Sequence, residues 1–532
     1  MAALRALATV FAGLPLILSP LPALAEPLRA DVLIRGGVVH DGSGEPGRLA
    51  DVAIRADRIV YVGPKGAEAV EAGETIDAAG MLVVPGFIDP HTHADGDLSS
   101  EDPARRANPA FLHQGVTTVV IGNDGGGTPR IAEVAARLER SGIGTNVGLL
   151  VGFGTVRAEV VGDADRAPDA AELAAMKALV AGAICEGALG LSTGLHYAPQ
   201  SFADTAEVAA LAREAGKRGA IYDSHLRDES SYSIGLEASV AEALEIGRLS
   251  GSAVHIAHIK ALGPDVWGRS EAVIAMIERA RAGGQQVTAD QYPWRASGTR
   301  ISNALVPRWA LDGGMAGLRL RLKDPETAQG LRAEMRENLR RRGGAESLLL
   351  TRGFGEAARW DGMTLAEVAE ATGKDPVEAA IAILETTDAR VASFNMDTKD
   401  IAAFAMQPWV VTGSDGSTGH PRKYGTFPKA YRDLVVSGEM GTAAFVRRST
   451  GASADLLGLT DRGYLRTGAF ADIAVIDPAT FAPRATYGEP EILATGVRYL
   501  FVNGSLAIEQ GRTTGKLPGR ALLRHPPKGT CR

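Results

Sequence analysis

Apolar and polar positions change period twice along this chain. Arg29–Asp77 carries short alternating runs, DVLIRGGVVH and DVAIRADRIVYVG, parted by Gly-rich turns, which is the pattern of half-buried hairpin strands. The same texture returns in Ala471–Asp477 and Val497–Val502, where Asn503-Gly504 supplies a type I′ turn signal. Between these ends, over about 80–440, apolar runs alternate with helical periodicity. Strands are predicted at Leu82–Ile88, Thr117–Gly122, Asn146–Phe153, Ala188–Ser192, Ala220–Asp223, Ala253–His258, Gln286–Asp290 and Pro408–Thr412. Helical stretches such as Ala170–Cys185 and Thr205–Arg218 lie between them. Eight strands with intervening helices predict an α/β fold, a (β/α)8 TIM-like barrel over 81–440 whose active site lies at the C-terminal strand ends. The two β-rich flanks, 26–80 and 441–532, predict one small β-sandwich domain assembled from both termini.

The connection between strands seven and eight, about 296–405, is far longer than a standard βα unit. It holds a charged helical segment, Pro325–Arg342, and a second helical part near Thr364–Leu384. A solvated insertion and a lid both fit this pattern, and an insertion on the C-terminal side of the strands is placed to cover the catalytic face. At the N-terminus, Arg5, the apolar run Ala6–Leu21 and Ala23-Leu24-Ala25 before Glu26 read as a cleavable secretory signal over 1–25. The expectation is an exported protein, periplasmic in a Gram-negative source, with no stable membrane insertion once the signal is removed. Of the 532 residues, 45% are apolar and 22% charged, with a net charge of −7 and no basic block, so nucleic acid is not expected as a partner. Cys185 and Cys531 are the only cysteines. Because Cys531 lies one residue from the C-terminus, a stabilising cross-link is not expected.

The chemistry concentrates at strand ends. The run MLVVPGFIDPHTHAD, Met81–Asp95, closes in His91-Thr92-His93, and residues two apart on a strand share a face. Two converging imidazoles make a half-site for Zn2+ or a similar borderline metal. Strand five leads to His225 and Arg227, strand six to His258 and Lys260, and strand eight to Asp415 in VVTGSDGSTGHPR. Each histidine alone reads more readily as structural, but four converging on one barrel rim read as ligands. Such a metal lowers the pKa of a bound water toward neutrality. Asp415 is placed to accept the proton and return it to a leaving nitrogen.

The segments PGFIDPHTHAD, QGVTTVVIGN (114–123), EGALGLSTGLHYAPQ (186–200), YDSHLRDES, AHIKALG, GSDG (413–416), HPRKYGTFPKAYR (420–432) and LGLTDRGYLRTGAFADIAVIDP (457–478) span nearly all of the mature chain. With these, the sequence resembles the D-aminoacylase (N-acyl-D-amino-acid deacylase) family of the metal-dependent amidohydrolases. The resemblance implies His91, His93, His225 and His258 as ligands of one or two zinc or other divalent ions, with Asp415 as catalytic acid/base facing the metal. It implies an N-acyl amino acid as the small-molecule substrate, hydrolysed to a carboxylate and a free amino acid. Arg227 and Lys260 would receive the substrate carboxylate, although Asp223, Asp228 and Glu229 are alternative partners for Arg227. Tyr197 matches a position near substrate, where a packing role is equally open. Two features depart from the family pattern. Its usual cysteine ligand after the second strand is replaced by Asp124 in Gly122–Gly127, and Gly152-Phe153-Gly154 lacks the histidine common in relatives. A cyclic amidase of the dihydropyrimidinase kind or a dipeptidase is the nearest rival, and a non-catalytic binding protein on a degenerate barrel a further one. The first two commonly need a lysine on strand four, where this chain reads ALGLSTGL.

Overall fold

The computed structural model describes residues 27–66, 70–353 and 355–531. The predicted signal segment therefore lies outside the described residues. Eight parallel strands form the barrel: β1 (Phe87–Asp89), β2 (Val116–Ile121), β3 (Asn146–Gly152), β4 (Gly190–Gly194), β5 (Ile221–His225), β6 (Val254–Ile256), β7 (Val287–Gln291) and β8 (Val410–Thr412). They pair in sequence order, from Phe87 opposite Val116 round to Ala289 opposite Val410. Strands such as β2 and β3 are buried along their whole length, which explains their unbroken apolar runs: one face meets the barrel interior and the other the helices. The seam between β8 and β1 is closed just beyond the strands themselves, by a parallel bridge between Thr92 and Gly416. There Asp415 N–H donates to the His91 carbonyl (2.9 Å) and His93 N–H donates to the Gly416 carbonyl (3.2 Å).

The first predicted strand, Leu82–Ile88, is two strands belonging to two sheets. Leu82–Pro85 pairs with Ile473–Ile476 and with the first long strand, Leu28–Val39, whereas Phe87–Asp89 enters the barrel. The division falls at Gly86, where a Cβ would come within 2.2 Å of the Thr117 side chain, so only glycine lets the chain cross from one sheet to the other. Strands from both termini join in one nine-stranded sheet. Its core includes Ile34, Val52, Ile54, Val83, Ile473, Val475 and Phe501.

Beyond β7 the chain builds a separate three-stranded antiparallel sheet, with Arg390–Phe394 between Ala296–Arg300 and Leu348–Arg352. Helices Ile301–Leu305, Pro325–Arg341, Leu365–Thr372 and Pro376–Thr386 bury their own apolar cluster around Leu305, Leu331, Met335 and Ile383. The segment thus folds around its own centre instead of lying as a solvated loop.

The cysteines correct the expectation drawn from their positions. Cys185 and Cys531 form a disulfide with Cα atoms 5.7 Å apart. Proximity to the C-terminus argues against a cross-link. In fact the tail is zipped onto the barrel: Ala521 and Leu522 pair in parallel with Val147 and Gly148, and Arg524 N–H donates to the Gly187 carbonyl (2.9 Å). That path carries Cys531 to the end of helix Ala170–Cys185. No helix among the described residues is long and apolar enough to cross a membrane.

Candidate metal centre

Six side chains converge beyond the C-terminal ends of the barrel strands. After β1, Asp89 accepts from the N–H groups of Ser414 (3.0 Å) and His91 (3.3 Å), and the Thr92 hydroxyl donates to the Val120 carbonyl (2.7 Å). These bonds turn Thr92 into the wall and leave the His91 and His93 rings inside, 5.6 Å apart between centroids. His225 ends β5, His258 follows β6 by two residues, and Asp415 follows β8 by three. Asp124 comes from the Gly122–Gly127 turn, where Gly122 and Gly125 both have φ near +80° (87° and 74°) and Asp124 itself has φ 55°. A Cβ at Gly122 would lie 2.5 Å from the Leu150 carbonyl oxygen, so the turn is made by glycine out of necessity. His258 (φ 34°) and Asp415 (φ 48°) share this unusual backbone region. Non-glycine residues there are uncommon and cluster at functional sites.

Asp124 occupies the middle. Its Oδ1 lies 3.5 Å from His91 Nε2, 3.4 Å from His225 Nδ1 and 3.6 Å from His258 Nε2, while its Oδ2 lies 3.6 Å from His93 Nε2. Two overlapping triads result, His91–His93–Asp124 and Asp124–His225–His258, with donor atoms in each within 4.8 Å of one another. His225 Nδ1 and His258 Nε2 face each other at 2.8 Å. Asp415 Oδ1 is 3.1 Å from His93 Nε2 and 3.9 Å from His91 Nε2. His91 Nδ1 and Nε2, Asp124 Oδ1 and His225 Nε2 are buried with no hydrogen-bond partner. Buried polar atoms are normally satisfied. Two of these orphans, His91 Nε2 and Asp124 Oδ1, face each other at 3.5 Å inside the cluster, as a divalent cation between them would require, and imidazole with carboxylate is a donor set zinc accepts. Burial pulls His91 down to about 4, which leaves it as the neutral imidazole that binds metal.

A supporting shell sets the rings. Asp290 accepts from His258 N–H (3.1 Å), bonds His255 Nε2 (3.0 Å) and lies 3.9 Å from His91 Nδ1. Glu229 lies 3.3 Å from His258 Nδ1 and receives Lys260 Nζ at 2.6 Å. Arg422 Nη1 contacts Asp415 Oδ2 at 2.7 Å, both side chains being buried. Burial opposes ionisation of Asp415, yet Arg422 and His258 hold its carboxyl far below the usual carboxylate range. Outer partners of this kind fix ring orientation and carboxylate direction around metal sites.

The cluster opens into a cleft of about 160 Å3. Its far wall comes from the segment after β7: Ser297, Gly298, Arg300, Asn303, Arg342 and Arg390 all line it. Tyr197 and Lys260 line it too. The Tyr197 ring packs 4.6 Å from the His225 ring, and its hydroxyl lies 3.5 Å from His225 Nδ1. Arg227 does not reach the cleft. Its fork is held by Glu242 in two bonds of 2.8 Å and by the carbonyls of Ser201 and Ala203. β5 stops at His225, so the two-residue alternation that would have kept Arg227 beside it no longer applies. Five cations line the cleft, Lys260, Arg300, Arg342, Arg390 and Arg422. Of these, Arg300 and Arg390 come from strands 90 positions apart in sequence and sit directly opposite each other in register. Neither forms an ion pair among the described residues. Burial lowers Arg390 below its ordinary value, and Arg300 and Arg422 lower it further. Sequence reasoning had no handle on this pair. Arg422, by contrast, follows Asp415 by seven residues within the quoted HPRKYG run and was within reach.

Comparison with known proteins agrees with this geometry. Residues 74–508 match the model of the amidohydrolase family. The chain belongs to the amidohydrolase family. It is 34% identical to an N-acyl-D-glutamate deacylase of Alcaligenes xylosoxydans xylosoxydans over 93% of this chain and 97% of that protein. A D-aminoacylase of the same organism is 33% identical over 93% and 98%. The crystal structure of an N-acyl-D-glutamate deacylase from Bordetella bronchiseptica, complexed with zinc and a phosphonate inhibitor that mimics the tetrahedral intermediate, superposes with a TM-score of 0.79. It shares 32% identity over 93% of this chain and 100% of that one.

Because Asp124 belongs to both triads, Asp124→Ala should weaken zinc binding beyond the roughly 10–100-fold that losing an outer partner costs. Metal content after dialysis against graded zinc buffers reads this directly; retention equal to wild type would remove Asp124 from the ligand set.

Proposed function

We propose that this amidohydrolase cleaves N-acyl-D-amino acids to a carboxylate and a free D-amino acid. One juxtaposition carries the reading. A cluster of four histidines and Asp124, with Asp415 at its edge, shares a narrow cleft with three guanidinium groups, Arg300, Arg342 and Arg390, that form no ion pair among the described residues. His91, His93, Asp124, His225 and His258 would hold zinc, as one or two ions. When bound, zinc polarises an amide carbonyl and makes water acidic enough to attack it near neutral pH.

The chain's own groups do the rest. Arg422 holds Oδ2 of Asp415, which leaves Oδ1, 3.1 Å from His93 Nε2, as the basic atom on the cluster side. Asp415 takes a proton from water at Oδ1 and returns it to the departing nitrogen, general base and then general acid. Lys260 lies beside Glu229 and His258 at the cleft floor. Arg300 and Arg390 receive the substrate's carboxylate, for which a planar fork is suited. With Arg342 also lining the cleft, the unpaired guanidiniums exceed the need of one α-carboxylate, which favours an acidic side chain on the amino acid. A ring-opening amidase is disfavoured because β4, Gly190–Gly194, offers no lysine to the metal side.

Asp415→Asn should keep its zinc and lose about 10²–10⁴-fold in kcat, the range for a positioned acid–base group. Near-normal turnover at wild-type metal content would sink the assignment. On a panel of N-acetyl-D- and N-acetyl-L-amino acids, the D-glutamyl or D-aspartyl compound should have the highest kcat/KM. Arg390→Met should raise KM for it by about tenfold or more, the effect of losing one charge-assisted bond. Equal activity on L-substrates would overturn the stereochemical part.

Export is part of the same proposal. Its supports are the small-x-small pattern Ala23-Leu24-Ala25 and a disulfide, since such bonds persist in oxidising compartments. The mature protein recovered from the periplasm should begin at Glu26; a retained Met1 in the cytoplasm would refute this.

A further inference from the structure

A second cleft lies on the outer side of the last two barrel strands. It measures about 640 Å3, is mostly apolar, and shares no lining residue with the metal cleft. Small-molecule sites commonly span roughly 300–1,000 Å3 with apolar walls and a few fixed polar groups. Three segments supply most of its lining. Pro293–Arg295 leaves β7, helix Thr398–Ala405 leads to β8, and helix Arg422–Ala430 widens into a π-helical turn at Tyr431–Val436. Such π segments frequently accompany functional sites. Trp294, Ile401 and Leu434 line the wall, and Phe394 and Met406 line it while staying 37% and 46% exposed.

Arg448, in the last turn of helix Thr442–Ser449, lines the same cleft yet is only 7% exposed. Its Nη1 donates to the Ala405 carbonyl (2.6 Å), closing the end of the neighbouring helix. Its Nε is buried without an acceptor, and no carboxylate among the described residues pairs with the guanidinium. Burial alone pulls it down to about 10, with no acid opposing. Of the two acids in the lining, Asp433 is taken by Lys429 (2.7 Å) and Glu439 forms no ion pair with Arg448. An unpaired buried cation is costly, and arginine's fork matches a carboxylate.

We propose that this cleft is a second binding site, for a monocarboxylate with an apolar tail. Arg448 grips the carboxylate, and the tail lies against Trp294, Ile401 and Leu434. Nothing in this site depends on the hydrolytic reaction or on the metal.

Calorimetric titration of the zinc-loaded full chain with decanoate tests it, beside decan-1-ol as the uncharged probe and acetate as the tail-less one. Decanoate should bind with one site per chain and at least about tenfold more tightly than either control. Stripping zinc should leave that affinity unchanged. Arg448→Met, which keeps an apolar stem, should weaken decanoate by at least about tenfold while leaving kcat/KM for hydrolysis unchanged. Ala402→Trp, which fills the cleft and spares Arg448, should weaken decanoate and decanol alike, and decides the matter if the Arg448 variant fails to fold. No decanoate binding to wild type, decanol binding as tightly as decanoate, loss of binding with zinc removal, or unchanged affinity in the variants would each overturn the proposal.

Discussion

Everything at the centre depends on how the barrel closes. β8 and β1 are short, and the bonds that join them lie past their ends, where Asp415 N–H meets the His91 carbonyl and His93 N–H meets the Gly416 carbonyl. The same residues whose backbones close the barrel carry side chains into the metal cluster. Closure and ligand placement are therefore one event. A barrel without this seam would leave an open sheet edge, and the first two histidines would lose their fixed distance to Asp415. The Asp89 carboxylate reinforces the seam by bonding Ser414 and His91 together.

Around that seam the protein places charge where burial makes it expensive, and compensates it in chains. Lys260, Glu229 and His258 form one such chain, Arg422 and Asp415 a second, and Asp290 with His255 a third. Each fixes one atom of a functional group and leaves another directed at the cluster. The left-handed backbone at Asp124, His258 and Asp415 has the same sense: strain is held where geometry matters, by strands that over-determine it. The orphan atoms that face the cluster, His91 Nε2 and Asp124 Oδ1, are those a cation would satisfy.

The long segment after β7 supplies what the barrel lacks. It folds around its own apolar cluster, so its three-stranded sheet is rigid enough to hold Arg300 and Arg390 opposite each other at the cleft wall. Like charges in register across a sheet repel. Neither arginine is ion-paired among the described residues, so together they make this wall of the cleft strongly positive. The barrel provides the histidine–aspartate cluster, and the covering segment provides the cationic wall of the cleft beside it.

Unbroken apolar runs alternating with helical periods admit few folds besides a barrel, and after the first run, which splits between two sheets, each predicted barrel run lies within two or three residues of an observed strand. The sequence by itself also determined which histidines and which aspartate end those strands, because a strand end is a local property. Tertiary structure decided the rest. Gly86 splits one apolar run between two sheets because of a clash with Thr117, a residue 31 positions away. Arg227, beside His225 in sequence, turns to Glu242 as soon as its strand stops, and the cleft it does not reach is lined by Arg300 and Arg390. Cys531 meets Cys185 only because the tail zips along β3. Asp124 shows both sides. Sequence marked it as a departure from its relatives, and only the fold put it at the junction of both triads, within reach of all four histidines.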